Sequence, residues 1–431
     1  MAKITYIGAG STGFGKRFVS DILTRPALAE GTITLMDINQ DYLEVMTALA
    51  KKMAKQLDVP MKIEATTDRR RALDGADYVI CTIVVGGRDL YITSHEISRK
   101  YGVDQAIGCT TGPSGVFWAL RTIPVMLSIC REMEELCPDA WLLHYQNPTS
   151  TVPLALYTAS PIKSIGLCHS VEGTARTLAR YIGAPFEETG HWVAGVNHQA
   201  WFLRFEWKGK DAYPLLREKM EDAEIYKHDL VRFELMRYLG YFLTESSYHN
   251  SEYVPYFRKN PELIKRFAPY TAVDHFANEQ VGVEARRAEL RKEAYGDAPV
   301  QIERSYEPCI NIITAMETNT AYRFNGNVLN TGLITNLPNS FCVEVPCLVD
   351  NMGIHPCYIG DLPPQCAALN RSRCAGDELA VKGALLGDRP AVEQAIALDP
   401  LTAAVCTLDQ IHNMVEELFA ANTEYIPQFT P

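Results

Sequence analysis

Positive charge is in short supply in this 431-residue chain, where 41 Lys and Arg stand against 52 Asp and Glu for a formal net charge of −11. A nucleic-acid backbone or an anionic membrane needs a basic surface, so the balance argues against both as main partners and favours a small neutral ligand. Long apolar runs are scarce too, and none reads as long enough to cross a bilayer. The opening Met1-Ala2-Lys3-Ile4-Thr5-Tyr6-Ile7-Gly8 enters a strand pattern without the basic stretch, apolar core and cleavage site of a secretory leader, so a cytoplasmic protein is expected. Internal repeats, low-complexity tracts and long flexible linkers are missing as well. Cysteine is not scarce, but the 12 residues are scattered, and Cys81, Cys130 and Cys347 sit inside apolar runs. Without an export signal they read as buried thiols in a reducing compartment, not as a disulfide framework.

What is present is an ordinary globular composition, 47% hydrophobic and 22% charged, in a chain long enough for two packed lobes. From Lys3 to about Cys168, short β-branched runs alternate with stretches of helical period, as in a parallel sheet covered by helices. Strands are expected at Ile4 to Ile7, Ile33 to Met36, Tyr78 to Val85, Trp141 to His144 and Ile162 to Leu167. Amphipathic helices fit Asp41 to Leu57 and Leu120 to Leu136. The remainder has helices near Leu230 to Phe242 and Pro400 to Ala420 around an irregular middle rich in Asn, Gly and Pro. The expected fold class is α/β, with an N-terminal Rossmann domain (1–168) on a parallel sheet and an α+β C-terminal substrate and metal domain (169–431). The two lobes are expected to share a large interface and to assemble as a homodimer or homotetramer.

Gly8-Ala9-Gly10-Ser11-Thr12-Gly13 matches a dinucleotide fingerprint, after the first strand and before a helix expected near Phe14. Gly8 would allow the tight turn, Gly10 the approach of the pyrophosphate, and Gly13 the packing of helix on strand; Ser11 and Thr12 complete the loop at the helix N-terminus. Asp37, ending the second strand, is placed to accept the adenosine ribose hydroxyls, which favours NAD⁺ over a 2′-phosphorylated cofactor. Gly10 to Lys16 also has the spacing of a nucleoside-triphosphate loop, but Arg17 stands where a hydroxyl is needed for Mg²⁺. Farther on, Cys168 ends a strand in Gly166-Leu167-Cys168-His169-Ser170-Val171, and His198 follows in Gly195-Val196-Asn197-His198. A thiolate and an imidazole converging on one point could hold a catalytic divalent metal with positions left open. On spacing alone, a core thiol and a satisfied buried imidazole explain them as well.

The chain resembles the NAD⁺- and Mn²⁺-dependent glycosidases of glycoside hydrolase family 4, and within it the melibiase-type α-galactosidases. The resemblance rests on Thr111-Gly112-Pro113 with Gly115, Pro138-Asp139-Ala140, Asn147-Pro148, the Cys168 and His198 segments, Thr244-Glu245-Ser246-Ser247, Glu252-Tyr253-Val254-Pro255, Asn336-Leu337-Pro338 and Cys342-Val343-Glu344-Val345. It implies a fold like that of lactate and malate dehydrogenases, and a reaction that departs from the two-carboxylate scheme of most glycosidases. In that reaction NAD⁺ takes hydride from C3 of the sugar, and the C3 ketone makes the C2 proton acidic. Mn²⁺ or another divalent metal on Cys168 and His198 binds the sugar oxygens. Loss of the C2 proton expels the leaving group, water adds, and the hydride returns. The same resemblance makes Tyr253 the base and Asn147 a ligand of the sugar hydroxyls. His169 stands at the position of an acid catalyst and would donate a proton or orient the galactose; His249 is a further candidate near the metal.

Arg287, with Arg286 beside it, lies where relatives place a substrate arginine, although a solvated helix face explains the pair equally well. Tyr91 stands where phospho-sugar members carry an arginine, which favours an unphosphorylated α-galactoside. Cys109 replaces a usual acid and Ser114 a usual glycine, so a galacturonide, an α-glucoside or another C6-substituted glycoside stays open. A lactate- or malate-type dehydrogenase and a non-catalytic sugar sensor are the rivals of other classes; the first would release stoichiometric NADH, the second would turn over nothing.

Overall fold

The computed structural model of the chain describes residues 1–429, and the side chains of all of these except 273–279. Six parallel strands open the fold: β1 (Lys3–Ile7), β2 (Thr32–Met36), β3 (Lys62–Thr66), β4 (Tyr78–Cys81), β5 (Trp141–His144) and β6 (Ser164–Gly166). They lie in the order 3-2-1-4-5-6, the order of a dinucleotide-binding sheet. Their side chains are mostly buried on both faces, which is why they read as β-branched runs rather than alternations. The exception is β3, an edge strand carrying Lys62 and Glu64 with no fully buried residue, and no strand was expected there.

The sheet does not stop at β6. It continues through an antiparallel set made of β7 (Thr189–Val196), β8 (Gln199–Trp207), β9 (Lys210–Asp211), β10 (Tyr322–Leu329), β11 (Cys342–Asp350) and β12 (Gly353–Pro356). The junction is β10, which meets β6 at Asn327 and Gly166 and pairs with β11 along its length. One hydrophobic core therefore runs from Ile4 and Val79 through Val343 and Val345 to Leu418, so the two halves are packed into each other. A smaller core sits beneath β7 and β8, around Phe202, Phe205, Leu178 and Phe233.

Several boundaries differ from expectation for local reasons. The fourth strand ends at Cys81, not Val85, because the chain turns at Thr82, where Thr82 Oγ1 donates to the Gly8 carbonyl at 3.3 Å. The helix expected from Leu120 begins at Gly112 and runs to Leu136 through Pro124. This 25-residue helix is apolar and long enough to cross a membrane, contrary to the reading of the sequence, but most of that stretch is buried inside the protein. The helix expected over Pro400 to Ala420 is two, Pro400–Val405 and Leu408–Asn422. The break falls at Cys406, and Thr407 opens the second helix with a reciprocal capping box to Gln410. Leu230–Leu239 stops short of Phe242 at Gly240, whose φ of +87° is a left-handed cap.

Candidate active site

Four of the segments singled out in the first half of the chain lie at the carboxyl edge of the parallel strands, where open α/β sheets place their ligands. The glycine loop follows β1, Asp37 follows β2, Asn147 follows β5 and Cys168 follows β6. In the loop, Gly8 has φ +85°, and a Cβ there would lie 2.3 Å from the Thr82 carbonyl oxygen, so only glycine fits. Gly10 is constrained by its neighbours within the chain: a Cβ would stand 2.6 Å from that of Tyr42, and its N–H donates to Asp37 Oδ2 at 2.9 Å. The close packing expected of Gly13 belongs instead to Gly15. A Cβ on Gly13 would meet nothing nearer than Ser11 Oγ at 4.0 Å, whereas one on Gly15 would press on the Ala9 carbonyl at 2.6 Å and on Met46 at 2.7 Å. Gly15 opens the helix Gly15–Leu23, with Ser11 Oγ accepting the Phe14 N–H at 3.2 Å. Lys16, the residue of the nucleoside-triphosphate look-alike, is paired with Glu293 at 2.7 Å.

Cys168 and His198 meet. The Cys168 Sγ lies 3.2 Å from His198 Nε2, although 30 residues separate them. His198 reaches this point because Asn197 and His198 form the two-residue turn between β7 and β8, closed by the pair Val196 and Gln199. A third group that the sequence reading did not single out joins them: Glu245 Oε1 is 3.2 Å from His198 Nε2 and 3.8 Å from Cys168 Sγ. The three donor atoms lie within 4.8 Å of one another. Glu245 holds φ +68°, a left-handed conformation rare outside glycine that tends to persist at functional sites.

The electrostatics of this triad suit a divalent cation. Burial keeps the His198 imidazole neutral, with its pKa down at about 3, which is the ligating form. Burial, together with Glu245 and Glu344, pushes the Cys168 thiol well up, so a thiolate here needs a cation beside it. Burial raises the Glu245 carboxyl, but His198, His249, His169 and Arg232 outweigh it and hold the group below the ordinary carboxylate range. A thiol, an imidazole and a carboxylate are a donor set for Mn²⁺- or Zn²⁺-like ions, with coordination positions to spare.

Tyr253 and His249 border the triad directly, and the other predicted residues lie at varying removes from it. Tyr253 is buried, with Oη 3.4 Å from His198 Nδ1. Burial raises its phenol far above the usual value, while Arg373, 5.0 Å from the ring centroid, pulls the other way. His249 Nδ1 is 3.4 Å from Glu245 Oε2. His169 is half exposed, with Nδ1 3.7 Å from Glu307 and its ring 6.4 Å from that of Phe14, between the glycine loop and the triad. Asn147 donates to Cys109 Sγ at 3.6 Å and accepts from Thr149 Oγ1 at 3.0 Å. Tyr91 is buried edge-on to Trp118, in a small cluster with Ile107 and Cys109; Ser114 is buried in the first turn of the long helix. Arg287 is not brought to this site. It lies on the helix Ala272–Tyr295 against Tyr42, in the cleft with Gly10 and Thr12, and Arg286 is exposed on the same helix.

Two supporting residues went unread. Thr110 Oγ1 lies 3.2 Å from His198 Nδ1, so it can fix the ring that turns Nε2 to the triad. Its loop is held by Glu252, a fully buried carboxylate that accepts the N–H groups of Ala106 at 2.7 Å, Ile107 at 2.9 Å and Gly108 at 2.9 Å. Glu252→Gln puts an NH₂ where a donor already points. The expected cost is roughly 1–3 kcal/mol, read from urea unfolding against the wild type. An unchanged midpoint would mean that the loop is held otherwise.

Residues 3–184 match the family model described as Family 4 glycosyl hydrolase, and residues 193–402 match its C-terminal domain. The chain belongs to glycosyl hydrolase family 4. This family 4 enzyme is 40% identical over 433 residues to an α-galactosidase of Bacillus subtilis (strain 168), covering 100% of both chains. Its fold is similar to that of a 6-phospho-α-glucosidase from gut microorganisms solved with NAD and Mn²⁺, at a TM-score of 0.84 and 20% identity over 98% of each chain. It is also similar to malate dehydrogenase of Plasmodium falciparum, at a TM-score of 0.54 and 16% identity, covering 89% of this chain and 98% of that one. The dehydrogenase likeness bears on the fold alone, as the strand order of the parallel half already indicated.

A second buried carboxylate of the family 4 enzyme gives a pH test. Glu344, on β11, accepts from Asn197 Nδ2 at 3.3 Å, and burial pushes its pKa to about 8 from an ordinary 4.5. A carboxyl whose folded pKa is raised stabilises the fold fully below the unfolded pKa, and that contribution is lost as pH rises through the folded one. Metal-free Glu344→Gln, whose amide cannot ionise, is therefore expected to gain stability relative to wild type between pH 5 and pH 9. Thermal unfolding of both proteins across that range checks it; parallel curves would refute it.

Proposed function

We propose that this chain hydrolyses an unphosphorylated α-galactoside by the oxidation, elimination, hydration and reduction cycle of its family, with NAD⁺ and a divalent metal such as Mn²⁺. The observation that carries the reading is the convergence of Cys168, His198 and Glu245 beside the Tyr253 hydroxyl, at the strand edge that also bears the glycine loop. The full-length likeness to an α-galactosidase supports the choice of sugar. So does Tyr91, a neutral aromatic packed on Trp118 at the position where the family resemblance puts the arginine of phospho-sugar members.

NAD⁺ along the glycine loop would supply a reversible hydride acceptor, and a divalent ion on Cys168, His198 and Glu245 a Lewis acid for the neighbouring sugar oxygens. The side chains do the rest. Asn147 holds sugar hydroxyls beside Cys109. Tyr253 takes the C2 proton at its Oη and returns one to C2 when water has added at C1. His169 sits on the cofactor side of the triad, where it can protonate the departing oxygen or orient the ring. The balance is one water consumed and no net oxidation.

The reading extends to a cytoplasmic homo-oligomer, dimer or tetramer, of the two lobes 1–168 and 169–431. Twelve free cysteines support a reducing compartment. Exposed Leu348, Met352 and Tyr358 near the β12 edge support assembly. A sedimentation profile showing only monomer at micromolar protein would end that part.

The test of the activity is release of p-nitrophenol from its α-galactoside, with and without NAD⁺ and Mn²⁺ under reducing conditions, with NADH followed in the same cuvette. Turnover needing both additions, with no NADH accumulating, is expected. Stoichiometric NADH would favour a dehydrogenase, and binding of both ligands without turnover a sensor. Turnover confined to galacturonides, α-glucosides or other C6-substituted glycosides would move the sugar and keep the cycle.

A further inference from the structure

Arg287 stands apart from the triad, in a cavity of about 430 Å³ between the glycine loop and the helix Ala272–Tyr295. Gly10, Thr12, Tyr42 and Met46 form one wall, and Arg287 with Arg291 the other. The guanidinium carbon of Arg287 lies 3.9 Å from the centroid of the Tyr42 ring, and Nη1 donates to Glu284 at 3.2 Å. Nε is buried without a hydrogen-bond partner among the described residues. Arg291 is already engaged, donating to both oxygens of Asp41 at 2.8 and 2.6 Å.

The helix that carries both arginines is tied to the first half of the chain. Glu293 pairs with Lys16 at 2.7 Å, and Lys52 Nζ donates to the Glu293 carbonyl at 2.7 Å and to the Gly296 carbonyl at 2.6 Å. Across the cavity, Gly10 gives its N–H to Asp37. The cavity therefore borders the groups that would meet the ribose and phosphates of a dinucleotide. A cation stacked on an aromatic ring beside a glycine loop is suited to an anionic diphosphate. A neutral galactoside held at the triad gives this cation nothing to pair with.

We infer that Arg287, held by Tyr42, is a cofactor residue that contacts the diphosphate of NAD⁺ and not the sugar. The inference rests on the proposed use of NAD⁺, and its test separates the two. NAD⁺ and ADP-ribose binding are measured by calorimetry, without glycoside, for wild type, Arg287→Met and Arg287→Lys. In Arg287→Met both dissociation constants are expected to rise about tenfold, the effect of removing one charge-assisted hydrogen bond. In Arg287→Lys, which keeps the charge but not the planar fork, the rise is smaller. The glycoside KM at saturating NAD⁺ should move less than the cofactor constants. Unchanged NAD⁺ and ADP-ribose binding overturns the inference, whether or not KM rises. Failure of the wild type to bind NAD⁺ overturns this inference and the proposed function together. Matching thermal unfolding of the variants excludes a general loss of fold as the cause of weaker binding.

Discussion

Tyr253→Phe is expected to lower kcat by roughly 10²–10⁴, the usual range for a positioned general base, while leaving NAD⁺ binding near the wild-type level. The substitution is nearly isosteric. The ring keeps its packing beside Arg373, and only the hydroxyl 3.4 Å from His198 Nδ1 is removed. If Tyr253 takes the C2 proton, the defect falls after hydride transfer. Substrate added to the variant should then raise the absorbance of enzyme-bound NADH without a matching release of p-nitrophenol. Loss of both signals would give Tyr253 a structural role, and full turnover would remove it from the chemistry. Burial raises the Tyr253 phenol far above its usual value in the metal-free protein. A cation on the adjacent triad would pull the phenol down in the same sense as Arg373, so a base role for Tyr253 would be coupled electrostatically to the metal.

The parallel half of the fold was legible because buried strands such as β1, β2 and β4 are apolar runs whatever their surroundings, and a glycine loop after the first of them has a short-range signature. The strand β3 was not, because an edge strand with Lys62 and Glu64 carries no such run. Cys168, His198 and Tyr253 could be singled out from local motifs, yet their meeting is a property of the β7–β8 turn and of the loop after β6. Glu245 was visible only as a letter in Thr244-Glu245-Ser246-Ser247, because its place beside His198 goes with a left-handed backbone angle that sequence does not display. Glu252 and Thr110 act through contacts between distant segments. Two adjacent arginines on a helix do not reveal which groove that helix crosses, and Arg287 lies against Tyr42 in the cleft with Gly10. Spacing likewise pointed to Gly13, whereas steric distance selects Gly15.

Cys168→Ser should have the largest effect of any single change here, with turnover lost and NAD⁺ affinity almost unaltered. The reason lies in the balance of charge at the triad. His198 is neutral and Glu245 ionised, so a divalent ion on these two alone keeps one uncompensated positive charge in a buried site. The thiolate of Cys168 cancels it, but burial and the neighbouring Glu245 and Glu344 make that thiolate costly unless the ion is present. Binding of Mn²⁺ to the wild type should therefore expel about one proton, and the apparent affinity should rise by up to about tenfold per pH unit near neutrality. Serine cannot be ionised there, so the variant should bind Mn²⁺ more weakly and release no proton. Calorimetry in two buffers of different ionisation enthalpy reads the proton directly and does not depend on activity. Proton release equal in wild type and Cys168→Ser would show that the metal takes its compensating charge elsewhere, with Glu344 the next group to test. Full activity in the variant would end the assignment of Cys168 to the metal altogether.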